Sequence, residues 1–418
     1  MKVEKTRLFL KPNPGKVLLR NFEPASENQK LNIIKRILDL SGSEASDEYE
    51  KISREFSRRH RNTSELFLKR FNRLEEFIPG GSDLSGTKQM LLGAAFSMEY
   101  ALESTALFNP SIIWHPDQSG LPEGSKRFIV SLRAVGEGHI SSIVFREGIL
   151  DDKNNISIEE PGRLVSSPEE IISFPGSEYE IVYSSEIPLS ERVIFPYSPA
   201  ESNGVEDARF VQFYDDDGDI RYYATYTAYD GKKIQSQLLE TSDFLRFKVH
   251  KFTGPEVKNK GMALFPRKVN GKYVMLSRQD NENNFIMFSD DLSFWNSRQL
   301  LSEPAYRWEL VQIGNCGSPV ETGEGWLVLT HGVGPVRTYS IGAMLLDLND
   351  PGKVIGRLKE PLISADENER EGYVPNVVYT CGSIVKDDEL IIPYAVSDYA
   401  GSFAKVKLSD LLDELTSD

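Results

Sequence analysis

The chain has 418 residues and a formal net charge of −15, with 39% hydrophobic and 27% charged residues. That length supports a large core or two domains, and the acidic balance argues against a nucleic-acid backbone or an anionic membrane as partner while still allowing a local cationic pocket for a small anion. No apolar run approaches a membrane span, Met1 to Leu10 lacks the apolar stretch of a signal peptide, and Cys316 and Cys381 fit reduced thiols in a cytoplasmic protein. The five histidines form no HExxH or paired pattern, so a zinc site is not expected.

Four helices are predicted before residue 108. The first runs from Asn28 to Leu40, with Leu31, Ile33, Ile34, Ile37 and Leu38 on one face. The second runs from Ser46 to Arg59, and the third from Thr63 to Phe77 with Leu66, Phe67, Phe71 and Leu74. The fourth, rich in Ala, Leu and Met, runs from Ser85 to Leu107. Apolar spacings of three and four are those of amphipathic helices. Pro79-Gly80-Gly81 separates the third from the fourth. The basic run Arg58-Arg59-His60-Arg61 reads as a solvated helix end near the C-terminal dipole.

From residue 108 onward the pattern is all-β. Short runs rich in Val, Ile, Tyr and Phe recur at Phe128–Leu132, Ile140–Phe145, Tyr179–Tyr183, Tyr222–Tyr229, Tyr273–Leu276, Phe285–Phe288, Trp326–Thr330 and Leu390–Ala395. Asp217-Gly218, Asp230-Gly231 and Asn270-Gly271 are hairpin signals. The segment Thr241 to Phe247 resembles Phe288 to Trp295, at a spacing of roughly 45 to 50 residues, about one four-stranded propeller blade. By that arithmetic the remaining ~310 residues hold five or six blades, with a pair of β-sandwiches as the competing architecture.

The densest chemistry lies in Gly204-Val205-Glu206-Asp207-Ala208-Arg209. On a regular strand Glu206 and Asp207 point to opposite faces, so only one can enter a pocket. The other is then available for an ion pair, for which Arg209 is a candidate. A carboxyl group at a strand mouth can be kept protonated by partial burial and act as a general acid. The same six residues also read as a strand start carrying a surface ion pair.

Several motifs in order carry a wider resemblance. They are Phe108-Asn109-Pro110-Ser111, Leu132-Arg133-Ala134-Val135, the Gly204–Arg209 segment and Tyr226-Thr227-Ala228-Tyr229-Asp230-Gly231. Ala263-Leu264-Phe265-Pro266, Thr330-His331-Gly332-Val333, Ile341-Gly342-Ala343 and Gly372-Tyr373-Val374-Pro375-Asn376-Val377-Val378 follow. Together they resemble glycoside hydrolase family 130, the β-mannoside phosphorylases and related β-mannosidases, from about Phe108 to the C-terminus. The resemblance implies a five-bladed β-propeller over 108–418 and says little about residues 1–107, a strand and helical extension expected either to pack on the propeller rim as a stabilising cap or to mediate self-association. It implies inverting chemistry with Asp207 as general acid acting through a sugar hydroxyl, and inorganic phosphate as co-substrate attacking C1 to release α-mannose 1-phosphate. No other cofactor and no metal are implied.

A phosphorolytic site needs cations and donors converging on one anion, where a second carboxylate would repel it. By the resemblance, Lys260, Arg278, His331 and Tyr339 supply these, and Gln312 stands where phosphorylases commonly carry lysine. Gly261 and Met262 also depart from the family pattern. Asn109, Ser111, Arg133, Tyr229, Asp230, Tyr373, Asn376 and Asp398 match sugar-binding positions. Glu137, or Glu206 on an irregular strand, would be a second carboxylate and would favour water as nucleophile. The expected function is therefore β-mannoside phosphorolysis. Inverting hydrolysis is the first alternative, and a non-catalytic carbohydrate-binding propeller the second. The expected partners are a β-mannoside oligosaccharide and phosphate, with neither nucleic acid nor membrane.

Overall fold

Strands dominate the molecule because the runs of β-branched and aromatic residues are short, alternate with tight turns and pair with their sequence neighbours. The structure, a computed structural model, describes residues 1–78 and 84–417. It divides into two compact units. One comprises Met1–Asn13, Glu103–Pro161 and Pro168–Asp418, and the other Pro14–Leu102 with Gly162–Ser167. The boundary expected at residues 107 and 108 falls inside the strand Ala106–Trp114.

In the smaller unit, α1 (Glu27–Leu38) is capped by Ser26, whose side chain accepts from the Gln29 amide. Helix α2 (Gly42–Phe56) begins four residues before its expected start because Ser41 and Glu44 form a capping box. Helix α3 (Thr63–Asn72) ends early, and Glu75–Phe77 forms a separate 3-10 turn. The Pro79-Gly80-Gly81 break lies outside the described residues. Helix α4 spans only Gly86–Ala95. The remainder of the expected fourth helix is strand: Ser97–Ala101 pairs with Val17–Asn21, setting Leu18 opposite Tyr100. Burial of Tyr100 and pairing with a distant strand override the helical composition there. Arg59 and His60 of the basic run both bond Glu99, at 2.8 and 2.7 Å.

The larger unit is a succession of antiparallel sheets. The first has Ala106–Trp114, Lys126–Val135 and Ser141–Leu150, with Ile156–Ile158 on its edge. The second has Gly204–Tyr214, Ile220–Tyr229, Ile234–Thr241 and Arg246–Lys251, extended by Tyr179–Val182 and Glu170–Ser173. A single parallel pair, Ser141 with Gly204, joins these two sheets. The third runs from Ala263 to Ser302 in four strands, and the fourth from Gln312 to Arg357 around Trp326–Val333 and Tyr339–Leu346. In the fifth, Val378–Tyr379, Glu389–Val396 and Ala400–Lys407 are completed by Val3–Lys5 from the other end of the chain. Helix α5 (Leu408–Thr416) follows the last strand.

All eight strand runs read from the sequence are found in these sheets. At Asn270-Gly271, where both residues have positive φ, Val269 and Lys272 exchange two backbone hydrogen bonds in a two-residue hairpin. The two resembling segments occupy equivalent places, each following the third strand of its sheet and burying aromatics, Phe244 and Phe247 in one and Trp295 in the other.

Apolar clusters link each sheet to the next. Phe145 and Ile143 of the first pack with Phe210 and Tyr226 of the second. Phe213 and Tyr223 pack with Met275 and Met287. Val274 and Ile286 pack with Trp326 and Met344. The last cluster joins Leu327 and Leu345 to Leu390 and Tyr394, and also takes in Ala106 and Phe108 of the first sheet.

Candidate active site

Two β-bulges build the acidic side of the site. Glu206 lies opposite Thr227, but the next paired residue is Arg209 opposite Thr225, so the strand holds one residue too many. Asp207 absorbs it with φ 51°. The strand Ala106–Trp114 is bulged likewise between Phe108 and Ser111, with Asn109 at φ 48°. Asn and Asp tolerate this left-handed conformation better than other non-glycine residues. The bulges bring the two side chains together: Asn109 Nδ2 donates to Asp207 Oδ1 at 2.7 Å. Ser111 Oγ, fully buried, accepts from the Phe210 amide and stitches the same two strands.

The bulge also overturns the expected alternation of Glu206 and Asp207. Both carboxylates meet one guanidinium: Arg133 Nη2 is 2.7 Å from Glu206 Oε1, and its Nη1 is 3.5 Å from Asp207 Oδ1. Lys260 Nζ stands 3.7 Å from Glu206 Oε2. Arg209 does not pair with either carboxylate. Fully buried, it donates to the backbone carbonyls of Asp207 and Cys316 and to Tyr379 Oη at 2.9, 2.7 and 2.8 Å.

The electrostatics reverse a second expectation. Burial alone would raise the Asp207 carboxyl. The charges of Arg133, Lys260 and Arg209, with the Asn109 hydrogen bond, outweigh it and hold Asp207 below the usual carboxylate range. Among these charges Asp207 is therefore ionised, not kept protonated by burial. The proton-holding carboxyl is Asp398. It sits in the turn between Glu389–Val396 and Ala400–Lys407, with φ 48° beside Ser397 at 49°. Burial and the neighbouring Asp207 charge push it up to about 6, against Arg133, Arg337 and Lys260.

A second cluster is cationic. Arg278 follows the strand Tyr273–Ser277 and is 6% exposed. Its Nη1 donates to His331 Nε2 at 3.0 Å. His331 is fully buried and held neutral by burial and by the charges of Arg278 and Arg209. Tyr339 stacks on His331 at 5.9 Å with the rings 5° apart. The Gln312 amide is satisfied with its nitrogen donating to Asn281 O (3.1 Å) and its oxygen accepting from Arg278 Nη1 (3.3 Å). Gly261, at φ 91°, leaves room for the guanidinium, since a Cβ there would lie 2.4 Å from Arg278 Nε. Among the described residues no carboxylate lies within ion-pair distance of Arg278. Lys260 connects the two clusters electrostatically, acting on Asp207, Asp398 and His331 alike.

The remaining expected residues divide. Asn376, at φ 62°, accepts the Tyr339 amide on its carbonyl at 3.0 Å and so adjoins the cationic cluster. Tyr373 is half exposed and meets His139. Tyr229 Oη donates to Gly231 O, and the Asp230 carboxylate accepts from the Lys232 and Lys233 amides, so the polar groups of both are engaged within their own turn. Arg209, Tyr379 and Arg337 escaped sequence reading as parts of the site. Only Arg209, two residues beyond Asp207, carried a signal, and that signal pointed to the wrong partner. Among the described residues no group of three or more His, Cys, Asp or Glu side chains is arranged to hold a metal ion.

Comparison with known proteins matches residues 177–417 to the model of glycoside hydrolase family 130, described as beta-1,4-mannooligosaccharide phosphorylase. A 1,2-beta-oligomannan phosphorylase of Thermoanaerobacter sp. (strain X514) is 37% identical over 228 residues, 53% of this chain and 75% of that protein. A beta-1,2-mannobiose phosphorylase of the same organism is 32% identical over 304 residues, 72% of this chain and 89% of that protein. The solved beta-1,2-mannobiose phosphorylase of Listeria innocua, in complex with beta-1,2-mannobiose, superposes with a TM-score of 0.55 at 22% identity, over 74% of this chain and 92% of that one. At that identity the likeness speaks for the fold.

Proposed function

The chain belongs to glycoside hydrolase family 130, and from that premise we propose that it cleaves β-mannosides with inorganic phosphate, inverting the anomeric centre to give α-mannose 1-phosphate. The observation that carries this reading is the seat around Arg278: a buried cation without a carboxylate partner among the described residues, bonded to neutral His331, on which the Tyr339 ring stacks. An uncompensated buried charge is costly unless an anion completes it, and a phosphate offers the bidentate acceptor geometry a guanidinium suits.

In this mechanism phosphate, held by Arg278 with Lys260 and Tyr339, attacks C1 as the C1–O bond to the leaving sugar breaks. Asp207 supplies the proton that the leaving oxygen needs, relayed by a hydroxyl of the reacting mannose. Asp207 starts ionised, so a proton has to reach it. Two effects work in that direction. A dianion arriving near Lys260 offsets one of the charges that keep Asp207 low, and Asp398 nearby holds a proton at mildly acid pH. Glu206, held between Arg133 and Lys260, serves as their counter-ion. Asn109, Arg133 and Asp398 bind the hydroxyls of the reacting mannose. The β-1,2 linkage follows two relatives similar to this chain in sequence, with β-1,4 as the competing linkage.

The architecture we infer is a five-bladed propeller, one blade per sheet, supported by apolar clusters that run from each sheet to the next and return to the first. Among the described residues no helix is long and apolar enough to cross a membrane. Two buried free thiols and a retained sugar phosphate suit a cytoplasmic enzyme. Exposed Leu31 and Leu68 on the helical unit support self-association through it.

The test is turnover of β-1,2- and β-1,4-mannobiose with and without phosphate, followed by phosphorus NMR. The expected result is phosphate-dependent α-mannose 1-phosphate. Equal mannose release without phosphate would establish hydrolysis instead, and inertness on every β-mannoside would leave a binding module.

A further inference from the structure

His139 and Tyr373 come from distant parts of the sequence and meet at the surface of the β unit. Their ring centroids are 5.8 Å apart at 31°, and Tyr373 Oη lies 3.4 Å from His139 Nδ1. Both residues are exposed, Tyr373 to 53%. His139 adopts φ 59° in the turn Gly136–Ile140, an unfavourable conformation closed by the hydrogen bond from the His139 amide to Gly136 O. A strained backbone presenting one exposed ring against another gains little from burial, so the pair points to a ligand that covers it.

Both loops border the acidic side of the site. The His139 turn follows the strand that carries Arg133 and precedes Ser141, which pairs with Gly204 at the start of the Asp207 strand. The Tyr373 loop lies on the turn that carries Asp398. A Cβ on Gly372 would approach Ser397 O to 2.5 Å, and the Val374 amide donates to Ser397 O at 3.0 Å. Inversion requires the nucleophile and the leaving sugar on opposite faces of the reacting ring. With the anion seat at Arg278, the side bearing Asp207 and Asp398 is the leaving-group side. The exposed rings are carried by the loops that adjoin the Asp398 turn and the start of the Asp207 strand.

We propose that His139 and Tyr373 form an aromatic platform for the leaving sugar, binding the apolar face of the acceptor-side mannosyl unit of the substrate. The assignment rests on the phosphorolytic reading above. Tyrosine and histidine suit the task, since each offers a flat apolar body with a polar edge for sugar hydroxyls.

The experiment is the reverse reaction, α-mannose 1-phosphate with mannose or mannobiose as acceptor, on the full chain and on His139→Ala, Tyr373→Ala and Tyr373→Phe. For each alanine variant the acceptor KM is expected to rise about tenfold while the KM for α-mannose 1-phosphate stays within about twofold. Tyr373→Phe keeps the stacking surface and is expected to stay near wild type. Unchanged acceptor KM in both alanine variants, or an equal rise for both substrates, overturns the platform. A wild type that makes no glycoside overturns the phosphorolytic reading instead. In that case calorimetric titration with mannobiose still reads the platform: about tenfold weaker binding by Tyr373→Ala supports it, and equal binding refutes it.

Discussion

A few carboxyl groups around Arg133 decide what the site can do. Asp398 and Asp207 are displaced in opposite directions, Asp398 upward by burial and the Asp207 charge and Asp207 downward by Arg133, Lys260 and Arg209, and the two make opposite contributions to stability. The folded-state pKa of Asp398 is raised to about 6. Between its unfolded value near 3.8 and about 6 the folded chain keeps a proton that the unfolded chain has released, so this group lowers stability as pH rises through that window. Asp207 is depressed, so its contribution is present above about 3.8 and is lost as pH falls towards its folded value. Asp398→Asn removes only the first effect. Urea denaturation is expected to show the variant more stable than wild type by about 2–3 kcal/mol near pH 7 and equal to it near pH 4. A difference that does not change with pH would show that neither burial nor the Asp207 charge raises Asp398. The variant is expected to lose activity as it gains stability, because the like-charge crowding that destabilises the fold also stores the proton.

The bulge is the element that makes the site, and it sets the limit of what sequence patterns reveal. Asn109 and Asp207 occupy matching irregularities on two neighbouring strands, and each depends on a left-handed residue. Asn109→Ala removes the bond to Asp207 and places a poorly suited residue at φ 48°. It is expected to cost about 1–3 kcal/mol of stability and to lower kcat/KM roughly tenfold to a hundredfold. The alkaline limb of its pH–rate profile is expected to move upward, since a donor to the ionised Asp207 is gone and the general acid keeps its proton to higher pH. Asn109→Gly loses the same bond but tolerates the backbone, so it is expected to unfold later than the alanine variant while being equally impaired. Equal stability of the two variants would remove backbone strain from the explanation. Strands such as Tyr222–Tyr229 and Trp326–Val333 were legible because their composition and turn signals are local. The pairing of Glu206 and Asp207 on Arg133 was not, because strict alternation holds only for a regular strand, and the extra residue is visible only in register with the partner. The strand Ser97–Ala101 was hidden for a related reason. Its Ala- and Met-rich neighbourhood favours helix, and only its distant partner Val17–Asn21 makes it a strand.

At the scale of the whole molecule, the two ends of the chain meet in one sheet. Val3–Lys5 pairs with Ala404–Val406 at the far end of the chain and supplies an edge strand of the fifth, five-stranded sheet. No periodicity in the sequence marks this, since three residues are too few to show alternation. The contact continues past the strand. Leu10, 8% exposed, exchanges backbone hydrogen bonds with Gly401 at 2.8 and 2.9 Å, and Lys5 forms an ion pair with the buried Glu369. Glu369 also accepts from Tyr394 Oη at 2.6 Å, and its carbonyl accepts from Ser397 Oγ, the residue before Asp398. The closing strand is thus tied, through Glu369, to the turn that positions the proton-holding carboxyl. Leu10→Ala is expected to cost about 2–5 kcal/mol, as for a buried leucine. Lys5→Met is expected to cost about 3 kcal/mol or more, because it leaves Glu369 buried with one cation fewer. If the tie reaches the site, Lys5→Met also lowers kcat at temperatures where the variant is still fully folded, whereas Leu10→Ala, which lies off that path, lowers only the unfolding midpoint. Circular dichroism melts alongside phosphorolysis rates measured well below each midpoint separate the two outcomes. Full activity of folded Lys5→Met would confine the terminal strand to holding the fifth sheet together.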